Sequence, residues 1–181
     1  MQQSLFDSEV YYDIETQKSA ADVGGWNNVH LMRVSVAITW SSADEFKRWD
    51  EPDVPGLLNY LTRFEKVVSY NGDGFDSKVL SYYGNVLPIS LKSFDVLTDL
   101  SKRLGHRLKL DSVAHATLGV GKTADGLVAL QWWKEGKVDQ IAEYCKQDVR
   151  VLVDIVSYGR KNGFVRYEER DGSTKSVKVD W

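Results

Sequence analysis

Apolar positions along the chain change period several times, and each change marks an element. Val10-Tyr11-Tyr12-Asp13-Ile14-Glu15 is β-branched and aromatic and predicts a strand. A loop containing Gly24-Gly25-Trp26-Asn27-Asn28 follows. His30 to Trp40, with Leu31, Val34, Val36, Ala37 and Ile38, alternates moderately and predicts a second strand. Asp44 to Trp49 is polar and reads as a short strand or a loop. Pro52 and Pro55 mark a connection, after which Leu57, Leu58, Leu61 and Phe64 recur at helical spacing. Lys66 to Tyr70 predicts a short buried strand, Asn71-Gly72-Asp73-Gly74 a turn, and Phe75 to Tyr83 a helix.

The second half is mostly helical. Phe94, Leu97, Leu100 and Leu104 share one face, ended by Gly105, and Asp111-Ser112 is placed to cap a short helix through Leu118, ended by Gly119. A further helix is expected near Ala124 to Glu135. The strongest helical pattern runs from Val138 to about Tyr158, with Ile141, Tyr144, Val149, Leu152 and Val156 as its apolar members. Phe164 to Trp181 alternates around Asp171-Gly172, a hairpin signal. The order predicts an α/β domain with a mixed central sheet flanked by helices and a C-terminal hairpin. A length of 181 residues suits one domain over 1–181, with a core at about 9–158 and the hairpin at about 163–181.

Composition narrows the chemistry. No apolar run approaches the roughly 20 residues of a membrane helix, so no membrane partner is expected. Met1-Gln2-Gln3-Ser4-Leu5 lacks the basic start and apolar stretch of a secretory signal. The single cysteine, Cys145, excludes an internal disulfide and suits a reducing cytosol, so a cytoplasmic location is expected. Three histidines and one cysteine argue against a structural zinc site, which leaves carboxylates to hold any metal. The net charge of −3 is a mild objection to a nucleic-acid partner, yet two bound divalent cations would bring it to about +1. Tight nucleic-acid binding is therefore expected to wait for metal.

Four acids form the candidate chemistry. Asp13 and Glu15, two apart on a strand, point to the same face. Alone they read as surface acids at a strand end. Asp76 follows a buried strand, a Gly-rich turn and Phe75, where it also serves as a favourable charge at a helix N-terminus. Asp148 lies in the long helix one turn after Tyr144, and residues i and i+4 share a face. Val151 and Leu152 neighbour it, so it is expected to be at least partly buried. Mg²⁺ and Mn²⁺ prefer oxygen ligands, and two such ions about 4 Å apart can activate water and stabilise the leaving oxygen in phosphodiester cleavage.

Three motifs carry a family resemblance: Asp13-Ile14-Glu15-Thr16, Asn71-Gly72-Asp73-Gly74-Phe75-Asp76, and Tyr144-Cys145-Lys146-Gln147-Asp148. In that order, the chain resembles the DEDD exonucleases of the ribonuclease H-like superfamily, in the subgroup with tyrosine in the third motif. It is similar to the proofreading domains of family B DNA polymerases, and more closely to stand-alone ribonuclease H-like domains of the YprB type. In the closer group, Gly24-Gly25-Trp26, Leu110 to Ala114, Thr117-Leu118-Gly119 and Trp133 to Gly136 also look familiar. The resemblance spans about residues 9 to 158. It implies a ribonuclease H-like fold and a 3′–5′ exonuclease with two divalent cations, Mg²⁺ or Mn²⁺, acting on the 3′ end of single-stranded DNA or RNA. It makes Asp13, Glu15, Asp76 and Asp148 metal ligands and has Tyr144 position the water. Asn71 and Phe75 would sit beside the terminal nucleotide, with Thr16 and Trp26 as further substrate contacts.

Other features mislead more than they inform. Gly121-Lys122-Thr123 resembles the end of a phosphate-binding loop, but Ala116 stands where that pattern needs glycine, and helix precedes it rather than strand. Lys122 stays a candidate phosphate contact. Trp132 and Trp133 are candidate stacking residues, although packing is the commoner role. His106 and His115 are read as structural or exposed, and Asp95, Asp99 and Asp111 as solvated or capping. Two other functions fit the same acids: a structure-selective endonuclease, and a non-catalytic module binding nucleic acid or protein.

Overall fold

The structure is a computed structural model and describes residues 8–121, 126–169 and 171–181. The β-branched run near the start forms β1 (Glu9–Thr16). It pairs antiparallel with β2 (Val34–Ser41), which pairs antiparallel with β3 (Glu45–Asp50). On its other side β1 runs parallel to β4 (Lys66–Ser69), which runs parallel to β5 (Ser93–Asp95). The sheet is thus mixed, ordered β3-β2-β1-β4-β5 with β1 in the middle.

A strand flanked on both sides in a covered sheet has two buried faces, and β1 divides its residues between them by period two. Val10, Tyr12 and Ile14 enter one core, with Leu57 and Leu61 of α1 (Val54–Leu61) and Val79 and Leu80 of α2 (Asp76–Leu80). Tyr11 enters the other core. The short α3 (Leu87–Ser90) and then α4 (Val96–Leu104), α5 (Leu110–Leu118) and α6 (Gly126–Lys134) lead to α7 (Val138–Asn162). The apolar stripe of α7, from Ile141 through Cys145, Val149 and Leu152 to Val156, packs on the Tyr11 face. Burying each large side chain of that stripe contributes about 1.5–3 kcal/mol. Asp13 and Glu15 continue the Tyr11 face, so α7 is the helix brought over them.

The tail forms β6 (Phe164–Glu168) and β7 (Thr174–Lys178), an antiparallel hairpin with Gly172 at φ +80°. Two hydroxyls of α5 cover the outer edge of β6. Ser112 Oγ bonds Glu168 O and N, both at 3.1 Å, and Thr117 Oγ1 bonds Arg166 O at 2.8 Å and N at 2.9 Å. An edge strand covered in this way cannot template another chain.

Several boundaries differ from the sequence expectation. The strand expected from His30 begins at Val34, because Trp26–Leu31 forms a 3-10 helix after the Gly24-Gly25 turn. Val29 and Met32 reach the core at helical rather than alternating spacing. Of the stretch Asp44 to Trp49, Glu45 to Trp49 lies in β3 and Asp44 in the turn before it. Phe94 lies in β5, not on the helix face, because Asp95 is extended and caps α4 by accepting from Thr98 N at 3.2 Å. Asp111 and Ser112 are not caps: α5 starts at Leu110, and the Ser112 hydroxyl serves the hairpin. The helix expected over Phe75 to Tyr83 is regular only in α2 and continues as turns. Of the helix expected from Ala124, residues 124 and 125 lie outside the described residues, and α7 runs on to Asn162.

Candidate active site

β1 and α7 bring three acids together. Carboxylate oxygens of Asp13, Glu15 and Asp148 all lie within 4.8 Å of one another. Asp76 stands outside that cluster but beside it, buried at the start of α2. Its carboxylate accepts from its own backbone N–H and from that of Ile14, which ties α2 to β1. A bulge between Glu15 and Thr16 shifts the β1–β2 register where the acids end. Bulges commonly re-aim side chains beside functional sites.

The four carboxylates repel one another in a poorly solvated place. Burial, then the charges of Asp76, Glu15 and Asp148, raises the Asp13 carboxyl well above its ordinary range. Glu15 is raised by burial and by Asp148 and Asp76. Burial and the Asp95 charge push Asp76 up to about 7, and burial and the Asp111 charge push Asp148 up to about 7. A hydrogen bond from Tyr144 partly offsets the shift at Asp148. Among the described residues, no cation is among the groups acting on Glu15, Asp76 or Asp148. Clustered carboxylates of this kind are costly unless something positive binds them, and an all-oxygen donor set suits a hard divalent cation.

A cleft of about 620 Å³ opens over the acids, lined by Asp13, Glu15 and Asp76 together with Thr16, Trp26, Asn71 and Phe75. All four expected substrate contacts therefore share a cleft with three of the four acids. Thr16 spends its hydroxyl on Lys18 O at 3.0 Å. Trp26 is 72% exposed and meets Phe75 edge-on, with ring centroids 6.5 Å apart. Its position depends on Gly25, at φ +116° and ψ 174°, a conformation that glycine alone adopts without strain. Tyr144 lies against Trp132, with ring centroids 6.2 Å apart, and faces a second, more open cleft of about 740 Å³ between α6 and α7 that holds none of the four acids. Trp132 and Trp133 are half-buried packing residues, and His115 pairs with Glu168 at 2.7 Å. Lys122 and Thr123 lie outside the described residues.

The turn carrying Asn71 to Asp76 is built by close approach. A Cβ on Gly72 would lie 2.2 Å from Ser69 Oγ and 2.6 Å from Ser69 Cβ. Asp95 holds the turn from below, accepting from Asn71 N at 2.9 Å and Asp73 N at 3.2 Å. Expected to be solvated or capping, Asp95 does cap α4, but it is 5% exposed and also supports the site.

Sequence reasoning missed three neighbours of the site. Cys145 Sγ donates toward Asp13 Oδ2 and O, both at 3.3 Å. Asp111 acts on Asp148 through its charge. Arg107 donates to Asn71 Oδ1 at 2.7 Å. Only the place of Cys145 inside the third motif could have signalled the first; the other two depend on tertiary contact.

Comparison with known proteins assigns the fold. The family model described as RNase_H superfamily matches residues 10–159. This chain belongs to the RNase H superfamily. Among solved structures, the family B DNA polymerase from the hyperthermophilic archaeon Pyrobaculum calidifontis superposes with a TM-score of 0.61 over 83% of this chain, at 18% identity. That match takes in 24% of the polymerase chain, so this chain spans about a quarter of its length. The likeness supports a ribonuclease H-like fold: a mixed five-stranded sheet flanked by helices, here followed by the β6–β7 hairpin. Among curated proteins, none matches the sequence. Among the described residues, no helix is long and apolar enough to cross a membrane.

Proposed function

We propose that this chain is a metal-dependent 3′–5′ exonuclease that hydrolyses phosphodiester bonds of single-stranded DNA or RNA with two divalent cations, Mg²⁺ or Mn²⁺. The observation that carries this reading is the convergence of Asp13, Glu15 and Asp148 within 4.8 Å, with Asp76 buried beside them, in a chain of the RNase H superfamily. Asp13, Glu15, Asp76 and Asp148 are the residues that would hold the cations. When bound, the cations supply Lewis-acid polarisation of the phosphate and neutralise the charge that builds on the leaving oxygen. Tyr144, hydrogen-bonded to Asp148, orients the attacking water. Asn71 and Phe75 hold the terminal nucleotide, with Thr16 behind them, and Trp26 offers an exposed ring on which a base stacks. The 3′ polarity and the single-strand preference rest on the three motifs and their order, which resemble those of polymerase proofreading domains. The whole of 1–181 acts as one domain in this reading, in the cytoplasm.

The test is a 5′-labelled oligonucleotide, as matched DNA and RNA, incubated with Mg²⁺ or Mn²⁺. A ladder of products shortened from the 3′ end is expected, and a circular single strand should stay whole. Asp13→Ala should lower the rate to background while the thermal melt stays cooperative. No ladder with either metal on either nucleic acid rejects the reading, and surviving activity in Asp13→Ala rejects the metal site.

A further inference from the structure

Arg107 sits on the connection between α4 and α5, outside the three motifs that carry the acids. Gly105, at φ +81°, ends α4, and the chain then meets two residues that line the acid cleft. Two hydrogen bonds pin it there. Tyr70 Oη donates to Leu108 O at 3.0 Å, and Arg107 Nη2 donates to Asn71 Oδ1 at 2.7 Å. Tyr70 and Asn71 both line that cleft.

The partner of Arg107 matters. Arg33, Arg48, Arg103 and Arg160 each meet a carboxylate, which cancels much of their charge. Arg107 instead meets a neutral amide and is exposed, so it keeps its charge and has further N–H donors to offer. His106 and Lys109, also exposed, line with it a cleft of about 620 Å³. Glu168 and Glu169 also line it, but each already has a partner, His115 for Glu168 at 2.7 Å and Lys175 for Glu169 at 3.1 Å. A polyanion entering a cleft lined by three carboxylates needs such a counterweight beside it. The bond to Oδ1 also fixes the Asn71 amide, leaving its NH₂ as the donor for a bound strand.

We infer that Arg107 binds a backbone phosphate of the single strand and positions Asn71 with the same guanidinium. This rests on the nuclease reading of the site. The test measures binding of a 5′-fluorescein dT15 and its RNA counterpart, with Ca²⁺ in place of Mg²⁺, across a salt series. Losing one phosphate contact should make the slope of log affinity against log salt shallower by about 0.7. Arg107→Gln is expected to show that change and to bind about tenfold more weakly at low salt. Arg107→Lys is expected to keep the slope, since its charge remains, yet to raise KM through the freed Asn71. An unchanged slope in Arg107→Gln, beside a wild type that cleaves, overturns the inference alone. A wild type that binds with the steeper slope and cleaves nothing overturns the catalytic reading and keeps the phosphate contact. A wild type that neither binds nor cleaves removes both.

Discussion

Burial and the charges of Asp148 and Glu15 push the Tyr144 phenol above its ordinary value, so at neutral pH it is a neutral donor, and its hydrogen bond goes to Asp148. It is therefore suited to orient a water rather than to take a proton as phenolate. Tyr144→Phe keeps the ring against Trp132 and removes only the hydroxyl. The expected result in steady-state kinetics is a kcat lower by about 10²-fold, the order lost when a positioned reactant is misplaced by about 1 Å. KM and Mn²⁺ affinity should stay within about twofold. A fall in Mn²⁺ affinity as large as the fall in kcat would assign the phenol to metal binding instead. The geometry behind this residue was legible: spacing of i and i+4 puts Tyr144 with Asp148, and spacing of i and i+2 puts Asp13 with Glu15. Cys145 was not legible in the same way. Its sequence neighbours describe a buried helix position, and only the packing of α7 on β1 brings its thiol to Asp13.

At the level of elements, the turn between β4 and α2 does the most for the site in the fewest residues. Gly72 is buried where its Cα passes Ser69, and the atoms a Cβ would strike include Ser69 Cβ, which cannot swing away. Gly72→Ala must therefore move the turn that carries Asn71 and Asp76. Such overpacking costs about 1–3 kcal/mol, which a thermal melt should register as a drop of roughly 5 °C. Activity assayed well below the melt should fall further than the unfolded fraction explains. An alanine variant with wild-type melting and wild-type rate would show the turn to be looser than described. Elements with a strong period, β1 and α7 above all, were readable because their burial follows one repeat. The misreadings fell where two periods overlap. Phe94 fits the i, i+3 row of α4, yet the extended Asp95 makes it a strand residue. Leu31 and Val34 suggested one strand across a 3-10 helix and a residue, Arg33, at φ +61°.

Across the whole molecule, the clustered carboxylates set how stability depends on pH. Asp76 and Asp148 are raised to about 7 in the folded state from 3.8, so the folded protein holds protons that the unfolded chain has released. Their contribution to stability is complete below about pH 4 and is lost as pH rises through about 7. Glu9 and Glu51 are lowered instead, and their contribution fades only as pH falls toward and below 4.5. In EDTA the melting temperature should therefore fall between about pH 5 and pH 8, by several degrees. Saturating Mn²⁺ should raise it most at the upper end, and Asp148→Asn should flatten the slope. A melting temperature that rises over that interval in EDTA would contradict the repulsion among the acids. The net charge of −3 gave no sign of this, because it sums over the surface what the fold concentrates in one cleft.

The far end of β1 bears on that cleft. Glu9 is 2% exposed and meets Arg160 of α7 through two bonds of 2.7 and 2.9 Å, with Lys66 at 3.0 Å. β1 runs from Glu9 toward the acids while α7 runs from Asp148 toward Arg160. Four to six residues of strand, about 13–20 Å, are thus matched against twelve of helix, about 18 Å. Strand and helix are two rulers clamped at a common zero, and the acids are read off at the opposite end. One residue gained or lost within either interval would offset Asp13 from Asp148, though every acid were still present. Surface connections elsewhere can vary in length; these two intervals are the calibrated dimensions of the molecule.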